Sequence, residues 1–141
     1  MNIRPWMLSA IVLGCSLWTA VSGHAAENSS DAERAFKLVR AVMCESIDGF
    51  EPKFVSVAFS INAGKISCYT SFEGIADTTF VEHKWYLRDE LVTSKRLTLK
   101  TPRWATYSSI QLREDDKGPW RVEIWDARNQ MIQTLRFSVT D

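Results

Sequence analysis

The sequence predicts an immunoglobulin-like β-sandwich, an antiparallel fold of about seven strands, over residues 38–141. Three observations lead to this prediction. Apolar and polar residues alternate with a period of two along most of the chain, and turn residues interrupt the alternation about every 8–12 residues. No long strand–helix–strand pattern occurs, so a parallel sheet covered by helices is not expected.

The first element after the N-terminal segment allows two interpretations. The segment Ser30–Glu33 fits a capping box, and the apolar residues that follow it recur at helical spacing. An extended strand over Phe36–Ser46 is the competing interpretation. We predict an N-terminal tail or short helix over residues 26–37 that becomes a strand near Leu38.

Six further strands are predicted. The alternation is clear in Phe80–Leu87, where His83 and Trp85 share the apolar face. Arg88–Glu90 is interpreted as a hairpin connection, although it lacks the glycine or asparagine of the tightest turns, and residues 48–52 are interpreted as a break. The predicted strands are Ala63–Phe72, Phe80–Leu87, Leu91–Leu99, Trp104–Leu112, Trp120–Ile124 and Met131–Val139.

Residues 1–25 have the features of a secretory signal peptide. The segment starts with the basic Arg4, continues as the apolar stretch Trp6–Val21, and ends with the small residues Gly23 and Ala25. We predict cleavage after Ala25 and a periplasmic or secreted mature protein.

Two alternatives remain open for this segment. It could be retained as a membrane anchor, although about 16 apolar-rich residues is short for a span. It could also be a lipoprotein signal with the lipid on Cys15, although Leu13 is a poor match to the usual motif and the apolar stretch continues past the cysteine. We predict ordinary cleavage, which leaves no stable membrane span.

The charge balance excludes one class of partner. The whole chain has 17 basic and 17 acidic side chains, and removal of residues 1–25 takes away only Arg4, so the net charge of the mature chain is near −1. A nucleic-acid-binding protein would need a basic stripe. We therefore expect no nucleic-acid partner.

Two cysteines, Cys44 and Cys68, remain after cleavage. In an oxidising compartment an isolated pair usually forms a disulfide, and this is the prediction. The alternative is a pair of buried free thiols that pack as small apolar groups.

His83 is the only histidine after residue 25, and it is expected to be a packed, hydrogen-bonded core residue. A zinc site formed with Cys44 and Cys68 would have too few ligands at unsuitable spacing, so neither a metal nor a cofactor is expected. Ser108 or Ser109 could act with His83 in a hydrolase, but no G-x-S-x-G motif is present. No catalytic set is therefore assigned, and the chain is not expected to be an enzyme.

The aromatic residues separate into two groups by their strand faces. Trp85 and Trp120 alternate with apolar neighbours, and with His83 and Trp104 they form the predicted core motif, in which Trp85 is expected to take the central place of a sandwich tryptophan. A second group shares strand faces with polar residues and is expected to be exposed, either as binding residues or as cross-strand pairs. With Arg103, which shares the face of Tyr107, these rings make up the candidate binding residues, which are Tyr69, Tyr86, Arg103, Tyr107 and Trp125.

Three blocks of sequence also resemble a known family. The blocks are His83-Lys84-Trp85-Tyr86, then Pro102-Arg103-Trp104 with Ser108-Ser109, then Gly118-Pro119-Trp120-Arg121-Val122-Glu123. Together they resemble the bacterial domain of unknown function 2914, over residues 38–139. Ile110 stands where that family would place a lysine, and the hairpin glycine is missing. The resemblance implies an exported domain of bacterial cell-envelope type and identifies no reaction.

These observations favour a non-catalytic exported binding module that engages a cell-envelope protein or a glycan. A protein partner ranks slightly higher, because no carboxylate or amide cluster is grouped around a ring. The alternatives are an envelope hydrolase that uses Ser108 or Ser109 with His83, and a structural spacer domain.

Overall fold

A computed structural model of the chain describes residues 34–141, which form nine β-strands and two single turns of 3₁₀ helix. The predicted signal peptide and most of the predicted tail lie outside the described residues. The 3₁₀ turns are Ile61–Ala63 and Glu114–Asp116. The strands are β1 (Lys37–Asp48), β2 (Glu51–Val55), β3 (Ala58–Ser60), β4 (Lys65–Glu73), β5 (Thr79–Leu87), β6 (Glu90–Leu99), β7 (Arg103–Gln111), β8 (Gly118–Asp126) and β9 (Met131–Thr140).

The strands form two sheets that pack face to face. The four-stranded sheet has the order β2-β1-β4-β7, and the five-stranded sheet has the order β3-β9-β8-β5-β6. Neighbouring strands are antiparallel except β3 and β9, which are parallel. In immunoglobulin terms β1, β4 and β7 take the places of strands A, B and E, and β9, β8, β5 and β6 those of G, F, C and C′. The predicted sandwich is confirmed.

The strands from β4 onward lie within two residues of their predicted ends. At the start of the described chain, β1 begins at Lys37, so the helical spacing of Val39 and Met43 does not produce a helix there. Two short strands were not predicted. β2 and β3 have five and three residues, and Pro52 within β2 led to the interpretation of a break.

Two hairpins turn through pairs of left-handed residues. Arg88 and Asp89 join β5 to β6 with φ angles of 48° and 65°, which is the pattern of a type I′ turn. The predicted connection is therefore present without glycine. Gly49 and Phe50 join β1 to β2 in the same way, with φ angles of 53° and 68°. The second turn thus holds an aromatic residue in a conformation that favours glycine.

The core consists of two apolar clusters between the sheets. Trp85 is fully buried in the first cluster and makes an edge-to-face contact with Trp120, whose ring centroid lies 6.5 Å away. Phe72 and Val81 belong to the second cluster. Because β5 holds the place of strand C, Trp85 occupies the predicted position of the buried sandwich tryptophan. Trp104 is only half-buried and packs against the second cluster.

The predicted disulfide is wrong, because Cys44 and Cys68 are both buried free thiols. Their strands are neighbours, but Cys44 lies opposite Ser67 and Cys68 opposite Met43. Directly opposite residues point to the same face of a sheet, so the two thiols point to opposite faces and cannot bridge without movement of a strand. Because the two thiols point to opposite faces of the sheet, Cys44 and Cys68 are also not placed to bind one zinc ion together with His83. Burial raises the pKa of both thiols, which keeps them protonated.

Within residues 34–141, no helix has the length and apolar character that a membrane crossing requires.

Candidate functional site

A chain of polar side chains crosses the core between the two apolar clusters. His83 of β5 is fully buried, and its Nδ1 lies 2.8 Å from the Ser108 hydroxyl while its Nε2 lies 3.2 Å from the Thr70 hydroxyl. Trp85 Nε1 donates to the same Ser108 oxygen at 3.0 Å. Strand alternation explains this placement, since His83 stands between Val81 and Trp85 on the inward face of β5. The prediction of a packed, hydrogen-bonded core histidine is confirmed.

One direction of donation satisfies every group in this chain. Trp85 donates to Ser108, Ser108 donates to Nδ1 of neutral His83, and Nε2–H of His83 donates to Thr70. Thr70 then donates to the backbone carbonyl of Thr106, 3.5 Å away. Burial lowers the pKa of His83 to about 3, because a charged imidazolium would lose its hydration. A proton on Nδ1 would also remove the acceptor of the Ser108 hydroxyl.

The Ser108–His83 contact has the length of a nucleophile–base pair but lacks the other features of one. Ser108 is 4% exposed, so its hydroxyl does not face a space that could hold a substrate. The second nitrogen of His83 meets the Thr70 hydroxyl instead of a carboxylate. Asp77, an aspartate that a catalytic triad with His83 could have used, lies in an exposed loop. Ser109 points the other way and bonds the Ser67 hydroxyl at 2.7 Å on the outer face of the four-stranded sheet.

The outer face of the four-stranded sheet carries three of the candidate binding residues. Tyr69 and Tyr107 lie directly opposite each other on β4 and β7. The expectation that Tyr69 is exposed is wrong, because it is 7% exposed and the Arg40 guanidinium lies 5.9 Å from its ring centroid. Tyr107 is 45% exposed, and Arg103 is exposed at the start of β7.

The outer face of the five-stranded sheet holds the other two candidates, Tyr86 and Trp125, both half-buried. Each aromatic ring on this face has a cation above it. The cation-to-centroid distances are 4.0 Å for Arg121 over Tyr86, 4.3 Å for Lys84 over Trp125 and 4.1 Å for Arg96 over Phe80. The side chains of Glu82 and Glu123 pair with two of these cations, Arg96 and Arg121. The exposed ring faces are thus already occupied.

The five candidate binding residues therefore do not form one surface. Tyr69, Arg103 and Tyr107 lie on one side of the sandwich, and Tyr86 and Trp125 lie on the other. Two buried polar atoms on the second side, Trp125 Nε1 and Glu123 Oε2, have no hydrogen-bond partner among the described residues. Alternation within a strand separates two faces, but the partner sheet decides which face is covered.

Among residues 34–141 the most exposed aromatic rings lie elsewhere, on residues 50–57, which we call the apolar hairpin. Phe50 at its tip is 61% exposed and Phe54 in β2 is 74% exposed. Val55 and Val57 are also exposed. Phe54 is in the left-handed region, with φ of 54°, which is a genuine outlier for a bulky residue. Sequence interpretation missed this surface because residues 48–52 read as a break.

The edge position of β2 shapes how this surface could be used. β2 pairs with β1 on one side and is the outer strand of its sheet. Pro52 lacks an N–H, and the left-handed Phe50 and Phe54 flank it. A partner strand could not continue a regular ladder along such an edge. The exposed side chains, rather than the backbone edge, are the accessible feature.

The charges near the apolar hairpin are mainly acidic. Glu51 belongs to the apolar hairpin, Glu45 and Asp48 lie on the adjoining β1, and Lys53 is the one basic residue within 50–57. Glu51 also approaches Arg40, with 3.4 Å between Oε1 and Nη1. A complementary surface would be apolar with basic groups at its edge.

The model of a family described as protein of unknown function, DUF2914, matches residues 78–139. This segment spans β5 to β8 and nearly all of β9, so the resemblance read from the sequence is confirmed there, while β1 to β4 lie outside the match. The search of curated proteins finds no match. Within residues 34–141, no three side chains of histidine, cysteine, aspartate or glutamate are grouped as metal ligands would be.

Proposed function

We propose that this protein is an exported, non-catalytic module that binds a cell-envelope protein through the apolar hairpin. The chain belongs to the DUF2914 family through its residues 78–139. The observation that carries the proposal is the concentration of exposed apolar side chains on residues 50–57. Single exposed apolar residues are ordinary on protein surfaces, but a group of them rimmed by polar residues is typical of an interaction site.

The energetics of Phe54 support this proposal. A bulky residue in the left-handed region costs about 1–2 kcal/mol relative to its usual conformations. Leaving its ring in water forgoes a further ~1.5–3 kcal/mol that burial would supply. The stability of the free domain does not account for a bulky ring that is both exposed and left-handed, and backbone strain of this kind concentrates at functional sites.

A protein partner is better supported than a glycan. Sugar stacking needs an open ring face beside polar groups, and Lys84 and Arg121 cover the rings of Trp125 and Tyr86. Phe50 and Phe54 lack a hydroxyl or ring N–H with which to recognise sugar hydroxyls. The exposed phenyl rings beside acidic groups instead suit an apolar protein surface with basic residues at its edge.

The hydrolase and spacer alternatives are less well supported. Ser108 and His83 are enclosed between the sheets, which gives a substrate no access to them. A spacer domain has no need of exposed phenyl rings at a strained position.

Replacement of Phe54 by asparagine is expected to abolish partner binding without loss of stability. Asparagine tolerates the left-handed region, and the ring that it replaces contributes little burial. We expect the free energy of unfolding to stay the same or rise by up to ~1 kcal/mol, as measured by urea denaturation.

Binding itself is measured by a photo-crosslinking amino acid placed at position 50 in living cells. We expect one discrete adduct with an envelope protein, lost in the Phe54→Asn variant. The matched control places the same crosslinker at Tyr107, an exposed ring on β7, where no adduct is expected. Equal adducts at both positions, or an adduct that survives Phe54→Asn, would contradict the proposal.

Export is tested separately, by mass spectrometry of the protein recovered from fractionated cells. We expect a mature chain that begins at Ala26 in the periplasmic or secreted fraction. A chain that begins at a lipid-modified Cys15, or one that retains Met1, would contradict this expectation.

A further inference from the structure

A groove at one end of the sandwich has the features of a second binding site, separate from the apolar hairpin. Its volume is about 820 Å³, within the range of pockets that hold small ligands. Phe36, Leu38 and Ile132 supply apolar lining from the starts of β1 and β9. A smaller depression of about 270 Å³ adjoins it, shares Arg103 with it, and adds Trp104. We call the two together the Arg103 groove.

The charges at the groove are not balanced. Lys37, Glu73 and Arg103 lie in one row across β1, β4 and β7, with the glutamate in the middle. The Glu73 carboxylate is 4.0 Å from Lys37 Nζ, and none of the described residues forms an ion pair with Arg103. Lys100 is not part of the lining, but its Nζ lies 5.4 Å from the ring centroid of Trp104. In the row across the three strands, one carboxylate thus lies between two cations, and Lys37 is the one within ion-pair distance of it.

The position of the groove is held by buried contacts. Arg34 Nε lies 3.8 Å from Asp126 Oδ2, and both side chains are buried. The other oxygen of Asp126 accepts the backbone N–H groups of Arg128 and Gln130, each at 2.9 Å. These contacts join the start of the described chain, which lines the groove, to the turn between β8 and β9.

We infer that the Arg103 groove binds a single amphipathic anion, a molecule with an apolar body and a carboxylate, sulfate or phosphate head. The apolar body would lie against Leu38, Ile132 and Trp104, and the head would pair with Arg103. An arginine fork suits such heads because it can donate two parallel N–H bonds. A neutral or cationic amphiphile would have the same apolar contacts and no partner for the free guanidinium.

The test uses three probes of nearly equal chain length, each built on twelve carbons, with different heads and each below its micelle-forming concentration. Isothermal titration of the mature protein with dodecanoate, dodecyl maltoside and dodecyltrimethylammonium compares anionic, neutral and cationic heads. We expect dodecanoate to bind about tenfold more tightly than the other two, which corresponds to about 1.4 kcal/mol. Arg103→Gln should remove this preference, and Arg103→Lys should restore part of it. The matched control is Arg136→Gln on the exposed face of β9, which should change nothing.

Several outcomes would overturn the inference. One is equal binding of the three probes to the wild-type protein, and another is dodecanoate binding that survives Arg103→Gln. Binding to anionic phospholipid vesicles without binding of monomeric dodecanoate would indicate a membrane surface and also count against the groove. Phe54→Asn should leave dodecanoate binding unchanged, so failure of the hairpin proposal and failure of this one can be distinguished.

Discussion

Replacing Ser108 with alanine is expected to destabilise the protein by about 2–4 kcal/mol. The Ser108 oxygen accepts from Trp85 Nε1 and its hydroxyl serves His83 Nδ1, so the substitution leaves two buried polar groups without a partner. Each such group costs about 1–3 kcal/mol when no water can replace the lost bond. A domain of this size is stable by only about 5–15 kcal/mol, so the loss is a large share of the total.

The matched control is the neighbouring residue on the same strand. Ser109→Ala removes one bond and leaves one buried hydroxyl, that of Ser67, without its partner, whereas Ser108→Ala leaves two buried groups. We expect a loss roughly half as large as that for Ser108→Ala, and urea denaturation of the two variants measures the difference. Equal effects for the two serines would show that the buried polar chain contributes no more than this single hydroxyl pair. If Ser108 were instead a nucleophile kept for catalysis, its removal would leave stability unchanged or raise it.

The sequence predicted the strands well where alternation is long and one face is buried. In β5 and β8 the apolar partners of Trp85 and Trp120 recur at every second position, and both strands were found within two residues of their ends. The short strands β2 and β3 lack enough residues to show a period, and Pro52 normally ends such a pattern.

The disulfide error has a different cause. Spacing along the chain shows that Cys44 and Cys68 can come close, but it does not show which face each one uses. That depends on the register of β1 against β4, where Cys44 meets Ser67. A shift of one residue would have placed the two cysteines opposite each other.

The candidate surface was predictable only in part. Alternation correctly placed Tyr107 on an outward face, but it cannot tell that Arg40 covers Tyr69 or that Lys84 covers Trp125. Those coverings come from side chains on neighbouring strands. The exposure of Phe54 depends on a left-handed backbone at the sheet edge, which no sequence period indicates.

Lowering the pH from 7 to 5 is expected to remove about 2 kcal/mol of stability through His83 alone. In the unfolded chain the histidine has a pKa near its usual 6.5, whereas burial lowers the pKa of folded His83 to about 3. Between pH 6.5 and pH 3, His83 therefore binds a proton in the unfolded chain but not in the folded protein. The stabilising effect of the neutral histidine is therefore complete above pH 6.5 and is lost as the pH falls toward 3.

The measurement compares urea unfolding of the wild-type mature protein and of His83→Gln at the two pH values. Glutamine does not titrate, so this variant should be less stable at pH 7 and should lack the loss that His83 causes at pH 5. A direct readout is the ring proton resonance of His83, the only histidine after residue 25, which should not shift between pH 7 and pH 5. A resonance that titrates near pH 6 would show that His83 is protonated in the folded state. The assignment of the Ser108 hydroxyl as the donor to an unprotonated Nδ1 would then be wrong.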